Sequence, residues 1–239
     1  MSPESSILYI VIVLFSAVQS IFGVGLLLFG TPTLLLIGHS YVDTLWILLP
    51  PSITISAIQI FHGRAYVEHN WRIYFLTVPT LSLCLIIVAT RGDYFDLSKA
   101  VGAALLLIGL IRFSPGLQEW LKQAINKNVN SYYIAMGGVH GLSNMGGGPL
   151  SILMSTIYSG KDTIRSNIAL VYAIFGISQL AVLTYIDPLG WRLFETRFCI
   201  SAFLSYFFLG RFLAARIDDY QYQNFITLVI LIYSFLSFL

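Results

Sequence analysis

Residues 141–150 read GLSNMGGGPL, and apolar sequence flanks them on both sides. Three consecutive glycines followed by Pro149 interrupt a helix. The first apolar stretch, residues 7–38, has a related difficulty, because one helix of that length would be about 48 Å long and the hydrocarbon core of a membrane is about 30 Å thick. We therefore predict a helix break in each stretch, at residues 22–25 in the first and 144–148 in the second.

The composition is that of a membrane protein. The 239 residues are 57% hydrophobic and 10% charged, whereas soluble domains carry about 25% charged residues. Apolar segments recur along the chain with no charge-rich region between them, so we expect one all-α integral membrane domain, with the lipid bilayer as a partner. A net charge of +2 gives no reason to expect nucleic acid as a partner. The start, MSPESS, has no basic residue before the apolar run, so the first segment is expected to stay uncleaved.

The chain consists of two similar halves. Gln59 and Gln179 lie 120 positions apart, as do Trp71 and Trp191. Eight apolar segments are predicted, at residues 7–38, 43–62, 71–90, 97–113, 132–158, 163–184, 193–212 and 221–239. The division is therefore into repeat one, a polar linker and repeat two, at residues 7–113, 114–131 and 132–239.

Each broken stretch can be a hairpin that enters and leaves the membrane on one side, or a single crossing. Hairpins place nine of the 13 Lys and Arg residues on one side and four on the other, whereas single crossings divide them seven to six. The positive-inside rule therefore favours hairpins, with a cytoplasmic linker and both termini outside. Each repeat then has one hairpin and three transmembrane helices, and the second repeat is inverted, as in secondary transporters.

The two broken stretches, FGVGLLLFGTPTLLLIG at 22–38 and GLSNMGGGPLSILMSTIYSG at 141–160, resemble the sulfite exporter TauE/SafE family of small membrane permeases. The resemblance covers essentially the whole chain. It implies a multi-pass protein of the cell membrane that transports small sulfur-containing anions such as sulfite or organosulfonates, mostly outward. It also implies a carrier without ATP-binding parts.

A helix that starts after a glycine break presents free amide N–H groups and a partial positive charge to an anion. The candidate substrate-binding residues at the second break are His140, Ser143, Asn144, Gly146, Gly147 and Gly148. Those at the first break are Gln19, Ser20, Gly23 and Gly25. The alternative interpretation is that these small and polar residues only allow close helix packing.

Two amides in the following helices, Gln59 and Gln179, are predicted to donate to the same anion from opposite sides. Gln179 lies on a polar stripe that also contains Arg165 and Tyr172. Arg165 is a further candidate ligand, and its alternative role is that of a topology anchor at the headgroups.

No cofactor, metal or enzymatic activity is expected, because the chain lacks the motifs that would indicate them. All 11 acidic residues lie at or beyond the ends of the apolar segments. A coupled proton would therefore be carried by His140 or by the substrate itself. The alternatives to a sulfur-anion exporter are an anion channel and an uptake permease for another small oxyanion or carboxylate. A homo-oligomer is compatible with the sequence.

Overall fold

The computed structural model of the chain describes residues 3–91 and 97–210, and this part contains helices and no strand. The helices are α1 (Pro3–Phe22), α2 (Leu26–Leu36), α3 (Tyr41–His62), α4 (Val78–Arg91), α5 (Leu97–Phe113), α6 (Pro115–Lys127), α7 (Val129–Ser143), α8 (Gly147–Ile157), α9 (Lys161–Ile186) and α10 (Thr196–Ser205). A π-helical turn, Ile73–Thr77, precedes α4, and another, Tyr206–Gly210, follows α10. The predicted last segment, residues 221–239, lies outside the described residues.

Several of these helices have the length and composition of membrane spans. Among the described residues four qualify, namely Ser5–Phe22, Tyr41–His62, Ile73–Arg91 and Lys161–Ile186. The count rises to five if α5 and α6, which are bent by 100°, are taken as one span. The predicted all-α membrane protein is therefore confirmed. Helices α2 and α8 are shorter, with 11 residues each.

Both predicted breaks are present in the structure. α1 ends at Phe22, and Gly23 follows it with a φ of 77°, a conformation that glycine adopts without strain. α7 ends at Ser143, and Asn144 follows it in the left-handed region with a φ of 62°. Helix α8 then begins at Gly147. The glycine-rich segments thus end one helix and begin the next at both places.

The chain doubles back at each break. The rings of Phe15 and Phe29 lie 5.7 Å apart, whereas 14 residues of continuous helix would separate them by about 21 Å. The Tyr132 hydroxyl donates a 2.8 Å hydrogen bond to the carbonyl of Pro149, a residue that would lie about 25 Å away along a straight helix. Each broken stretch therefore folds back on itself.

The loop after α3 lies beside the starts of α7 and α9. The Asn167 side chain, near the start of α9, donates to the Tyr66 carbonyl at 2.9 Å and accepts from the Glu68 amide at 2.8 Å. Asn70, in the same loop, donates to the hydroxyl of Tyr133 at 2.9 Å. These three chain segments therefore share one end of the molecule.

The starts of α1, α3 and α10 and the end of α9 lie at the opposite end of the molecule. The Trp46 indole, near the start of α3, donates to the Asp187 carboxylate at 3.2 Å. Tyr9 of α1 packs edge-on against Phe198 of α10, with ring centroids 5.2 Å apart. Because α3 and α9 meet at both of their ends, they run antiparallel to each other.

The polar linker predicted at 114–131 is largely helical, as α6 and the start of α7. The Ser114 side chain accepts from the Leu117 amide at 3.3 Å and caps α6, and Pro115 occupies the first helical position. Ile125 is buried while Trp120 is 64% exposed. The polar composition of this segment is thus that of an amphipathic helix.

Helix α7 packs closely on α4 and its preceding turn through two glycines. A Cβ at Gly137 would lie 2.5 Å from the Thr77 carbonyl oxygen, and one at Gly141 would overlap the Leu81 carbonyl. Small residues four positions apart allow helix backbones to approach this closely in membrane proteins. The first arm of the second hairpin is therefore held directly against the first repeat.

Gly137→Ala should lower the melting temperature of the purified protein, because the added methyl would meet the Thr77 backbone, and overpacking costs about 1–3 kcal/mol. Gly138→Ala is the matched control, since its methyl would meet only Thr80 Cγ2 at 3.9 Å. Alanine is the better helix former by about 1 kcal/mol, so the control should retain or raise the melting temperature. Equal shifts in the two variants would contradict the close contact.

Candidate functional site

The first break is closed by the amide of Gln19, which is fully buried. Its Oε1 accepts from the Leu26 amide at 3.3 Å and from Ser52 Oγ at 3.1 Å. Its Nε2 donates to the Ser52 carbonyl at 3.0 Å and to Ser56 Oγ at 3.2 Å. Both polar atoms of this side chain are therefore bonded within the protein.

Gln59 also bonds to the backbone at the first break. Its Nε2 donates to the carbonyls of Gln19 and Ser20 at 3.0 and 3.1 Å, in the last turn of α1, where intrahelical donors run out. The Ser20 hydroxyl donates to the Ser16 carbonyl at 2.6 Å. Gln59 Oε1 is buried without a partner in the described part of the chain, but a carbonyl oxygen has no proton to donate to an anion.

The glycines of the first break allow close packing. A Cβ at Gly25 would lie 2.6 Å from the Gln19 backbone nitrogen, and one at Gly23 would lie 2.8 Å from Ile168 of α9. Arg165 is one turn before Ile168, with its guanidinium 4.0 Å from Asp162 and its side chain 29% exposed. The guanidinium therefore points towards the start of α9.

The second break gathers polar side chains from three helices. His140, Asn144 and Gln179 are fully buried. Asn144 Oδ1 accepts from Gln179 Nε2 at 3.3 Å, and Asn144 Nδ2 donates to Thr31 Oγ1 of α2 at 2.8 Å. The Ser143 hydroxyl accepts from the Met145 amide at 3.3 Å. The break is thus bonded to α2 on one side and α9 on the other.

His140 lies directly under the start of α8. Its Nδ1 accepts from the Gly146 amide at 3.1 Å, so the neutral ring carries its proton on Nε2. The ring packs against Phe175 with a centroid distance of 4.5 Å, and the Gln179 side chain lies beside it. His140 Nε2 is buried and has no hydrogen-bond partner among the residues described.

The Tyr172 hydroxyl lies at the same place. It is buried and unpartnered within the described structure, and a Cβ on Gly147 would overlap it. Gly147 and Gly148 are the first two residues of α8, so their amides have no carbonyl of their own helix to donate to. Gly148 also leaves room for Ile108 of α5, which would lie 2.7 Å from an added Cβ.

The structure does not bring Gln59 and Gln179 together. The antiparallel helices α3 and α9 meet where a Cβ on Gly176 would lie 2.7 Å from Ile53. The two glutamines lie on opposite sides of this contact, about 14 Å apart along the helix axes. Gln59 therefore belongs to the first break and Gln179 to the second.

Tyr172 was not among the residues predicted for the site, although it lies on the same helix face as Gln179, two turns earlier. Nothing in the sequence indicated that Thr31 would bond to the second break. No group of three His, Cys, Asp or Glu residues suited to a metal ion occurs in the described part of the chain. The second break therefore contains a set of buried, uncharged hydrogen-bond donors.

A helical membrane protein in which broken helices surround such donors has the construction of a small-solute transport protein. Residues 8–237 match the family model described as Sulfite exporter TauE/SafE, and the chain belongs to this family. The predicted family and the prediction of a multi-pass membrane transport protein are thereby confirmed. Comparisons with curated proteins and with solved structures gave no match.

Gln59→Leu should lower the free energy of unfolding by about 1–3 kcal/mol, because the Ser20 carbonyl loses its donor and the Gln19 carbonyl keeps only the Gly23 amide. Gln123→Leu is the control, since Gln123 is exposed on α6 and bonds only to Glu119 at 3.3 Å, and exposed substitutions change stability by about 0.5 kcal/mol or less. Thermal unfolding of both variants provides the comparison. A Gln59→Leu protein as stable as the control would show that these bonds contribute nothing.

Proposed function

We propose that the protein is a secondary transporter that exports small sulfur-containing anions, such as sulfite or organosulfonates, across the cell membrane. The observation that carries the proposal is a pair of groups at the start of α8, His140 Nε2 and the Tyr172 hydroxyl, which are buried and have no hydrogen-bond partner among the described residues. Buried polar groups are nearly always hydrogen-bonded, so an unbonded pair needs an explanation. An anion would accept from both groups and would benefit from the partial positive charge of the helix start.

In this proposal the ligands of the anion are the amides of Gly147 and Gly148 with His140 and Tyr172. Gly146, Ser143 and Asn144 then position the break, because their polar groups bond to neighbouring residues, and Gln179 positions it through the bond from its Nε2 to Asn144. Gln19, Ser20, Gly23, Gly25 and Gln59 have the corresponding structural role at the first break. Arg165 is assigned as a topology anchor.

We also propose that the two repeats are inverted, with re-entrant hairpins, both termini outside and residues 114–131 in the cytoplasm. The bonds of Asn167 to Tyr66 and Glu68 support this topology, because they require the end of α3 and the start of α9 to be on one side. A hairpin between residues 132 and 158 satisfies that requirement, whereas a single crossing would place them on opposite sides. The Tyr9 contact with Phe198 supports the first hairpin in the same way.

An impermeant thiol reagent applied to intact cells tests the topology. In a background with Cys84 and Cys199 replaced by alanine, cysteines at Ser2 and Leu189 should be labelled, and one at Asn126 should be protected until the cells are opened. Leu189 is 74% exposed and serves as the accessible reference. Labelling at Asn126 but not at Ser2 would refute the proposed orientation, and labelling of Ser2 and Leu189 on opposite sides would refute the first hairpin.

Two substitutions separate anion binding from packing at the second break. Gly147→Ala should abolish binding because its methyl displaces the Tyr172 hydroxyl and covers the α8 amides. Tyr172→Phe removes one donor and should weaken affinity by about ten- to a hundredfold. The double variant removes the atom that the methyl would overlap, so it should recover the melting temperature lost in Gly147→Ala.

Recovery of transport is the deciding measurement in the double variant. Flux into proteoliposomes, measured with sulfite at saturating and at low concentration, should stay impaired even though the fold is restored. Wild-type flux in the double variant would show that the glycine and the tyrosine hydroxyl only pack against each other.

Burial favours a carrier over the alternative of an anion channel. His140 and Gln179 have no solvent exposure and Tyr172 is 1% exposed, so the site is closed to both sides in this conformation. A channel needs a continuous wet path, whereas a carrier occludes its substrate between openings. Counterflow of labelled sulfite in the proteoliposomes distinguishes the two, and the gradient that drives net flux distinguishes export from uptake.

A further inference from the structure

Among the residues that the structure describes, the second break holds neutral donors and no cationic side chain. The buried polar residues of the described part are serines, threonines, glutamines, asparagines and one histidine, with no Lys, Arg, Asp or Glu among them. Arg165, the basic residue on the α9 face that carries Tyr172, is turned towards Asp162 at the helix start. His140 is neutral while its Nδ1 accepts from Gly146. The buried side chains described on helices α2, α5, α7 and α9 are therefore all uncharged.

Such a site suits one negative charge better than two. The cost of removing an ion from water rises with the square of its charge and is not offset without a partner of opposite charge. The start of a helix supplies the equivalent of about half a positive charge. Gln179 Oε1, which is buried beside the same ring without a partner among the described residues, adds an acceptor that repels further negative charge and suits a ligand with a proton of its own.

We propose, resting on the function proposed above, that this site binds monovalent oxyanions and excludes dianions. Sulfite in water interconverts with hydrogensulfite near neutral pH, and only hydrogensulfite is monovalent. The form transported would therefore be hydrogensulfite, bound intact. Each exported anion then carries its own proton across the membrane and releases it according to the pH outside, without any titrating carboxylate in the protein.

Three ligands of different charge test the proposal on the purified full-length protein, by calorimetry or thermal shift across neutral pH. Methanesulfonate is monovalent throughout, sulfate is divalent throughout, and sulfite changes from one to the other. Methanesulfonate affinity should not change with pH, and sulfate should bind about a hundredfold more weakly. Sulfite affinity should fall by about tenfold per pH unit once hydrogensulfite is the minor form. Sulfate binding as tight as that of methanesulfonate would overturn the proposal.

His140→Gln separates proton transfer by the substrate from protonation of the histidine. A glutamine can accept from the Gly146 amide and still donate, so it supplies a neutral site at every pH. We expect weaker binding with an unchanged shape of the sulfite pH profile. A profile that becomes flat in this variant, or methanesulfonate affinity that rises in acid in the wild type, would show that a cationic His140 pairs with the anion and would overturn the proposal.

The same measurements distinguish failure of this inference from failure of the proposed function. Tight binding of sulfate and methanesulfonate alike, lost in Gly147→Ala, would leave the anion site in place and refute only its charge selectivity. No binding of any of the three ligands at any pH would refute the proposed sulfur-anion site itself, and with it the inference.

Discussion

A backbone that breaks inside a membrane protein must find new partners for the amides and carbonyls that the helix no longer satisfies, because lipid offers none. The two breaks of this chain meet that constraint differently. At the first, Gln19 receives the Leu26 amide while Gln59 donates to two carbonyls of α1. At the second, His140 receives the Gly146 amide, and Asn144 bonds to Thr31 and Gln179. The first break is bonded chiefly through side-chain amides, whereas at the second the His140 Nε2 and the Tyr172 hydroxyl are buried without a partner among the described residues.

This difference in hydrogen bonding at the two breaks distinguishes two otherwise similar halves of the chain. Both halves place a glutamine at the same position of their long helix, and both glutamines lie beside a break. Gln59 bonds to the backbone of its hairpin, whereas Gln179 bonds to a side chain, Asn144. The glycines of α7 hold the second hairpin directly against α4 and the turn before it.

The sequence predicted the breaks well because their cause is local. Glycines weaken a helix in any tertiary setting, and the helices do end close to them, at Phe22 and Ser143, although Gly147, Gly148 and Pro149 themselves form the first turn of α8. It failed on the meeting of Gln59 and Gln179, since an offset of 120 positions says nothing about where α3 crosses α9. It also missed the unpartnered Tyr172 hydroxyl, because the absence of a hydrogen bond is a property of the packed structure. Helix α6 was missed because a polar segment was interpreted without its cap at Ser114.

The three glycines of the second break are used for close approach as much as for turning. A Cβ at Gly146 would lie 2.5 Å from His140 Cβ, one at Gly147 would overlap the Tyr172 hydroxyl, and one at Gly148 would meet Ile108. Each glycine therefore admits a different neighbour, and two of those neighbours are the donors with free hydrogen-bonding capacity. A larger residue at Gly146 or Gly147 would push a donor away from the start of α8. These glycines thus let His140 of α7 and Tyr172 of α9 reach the start of α8.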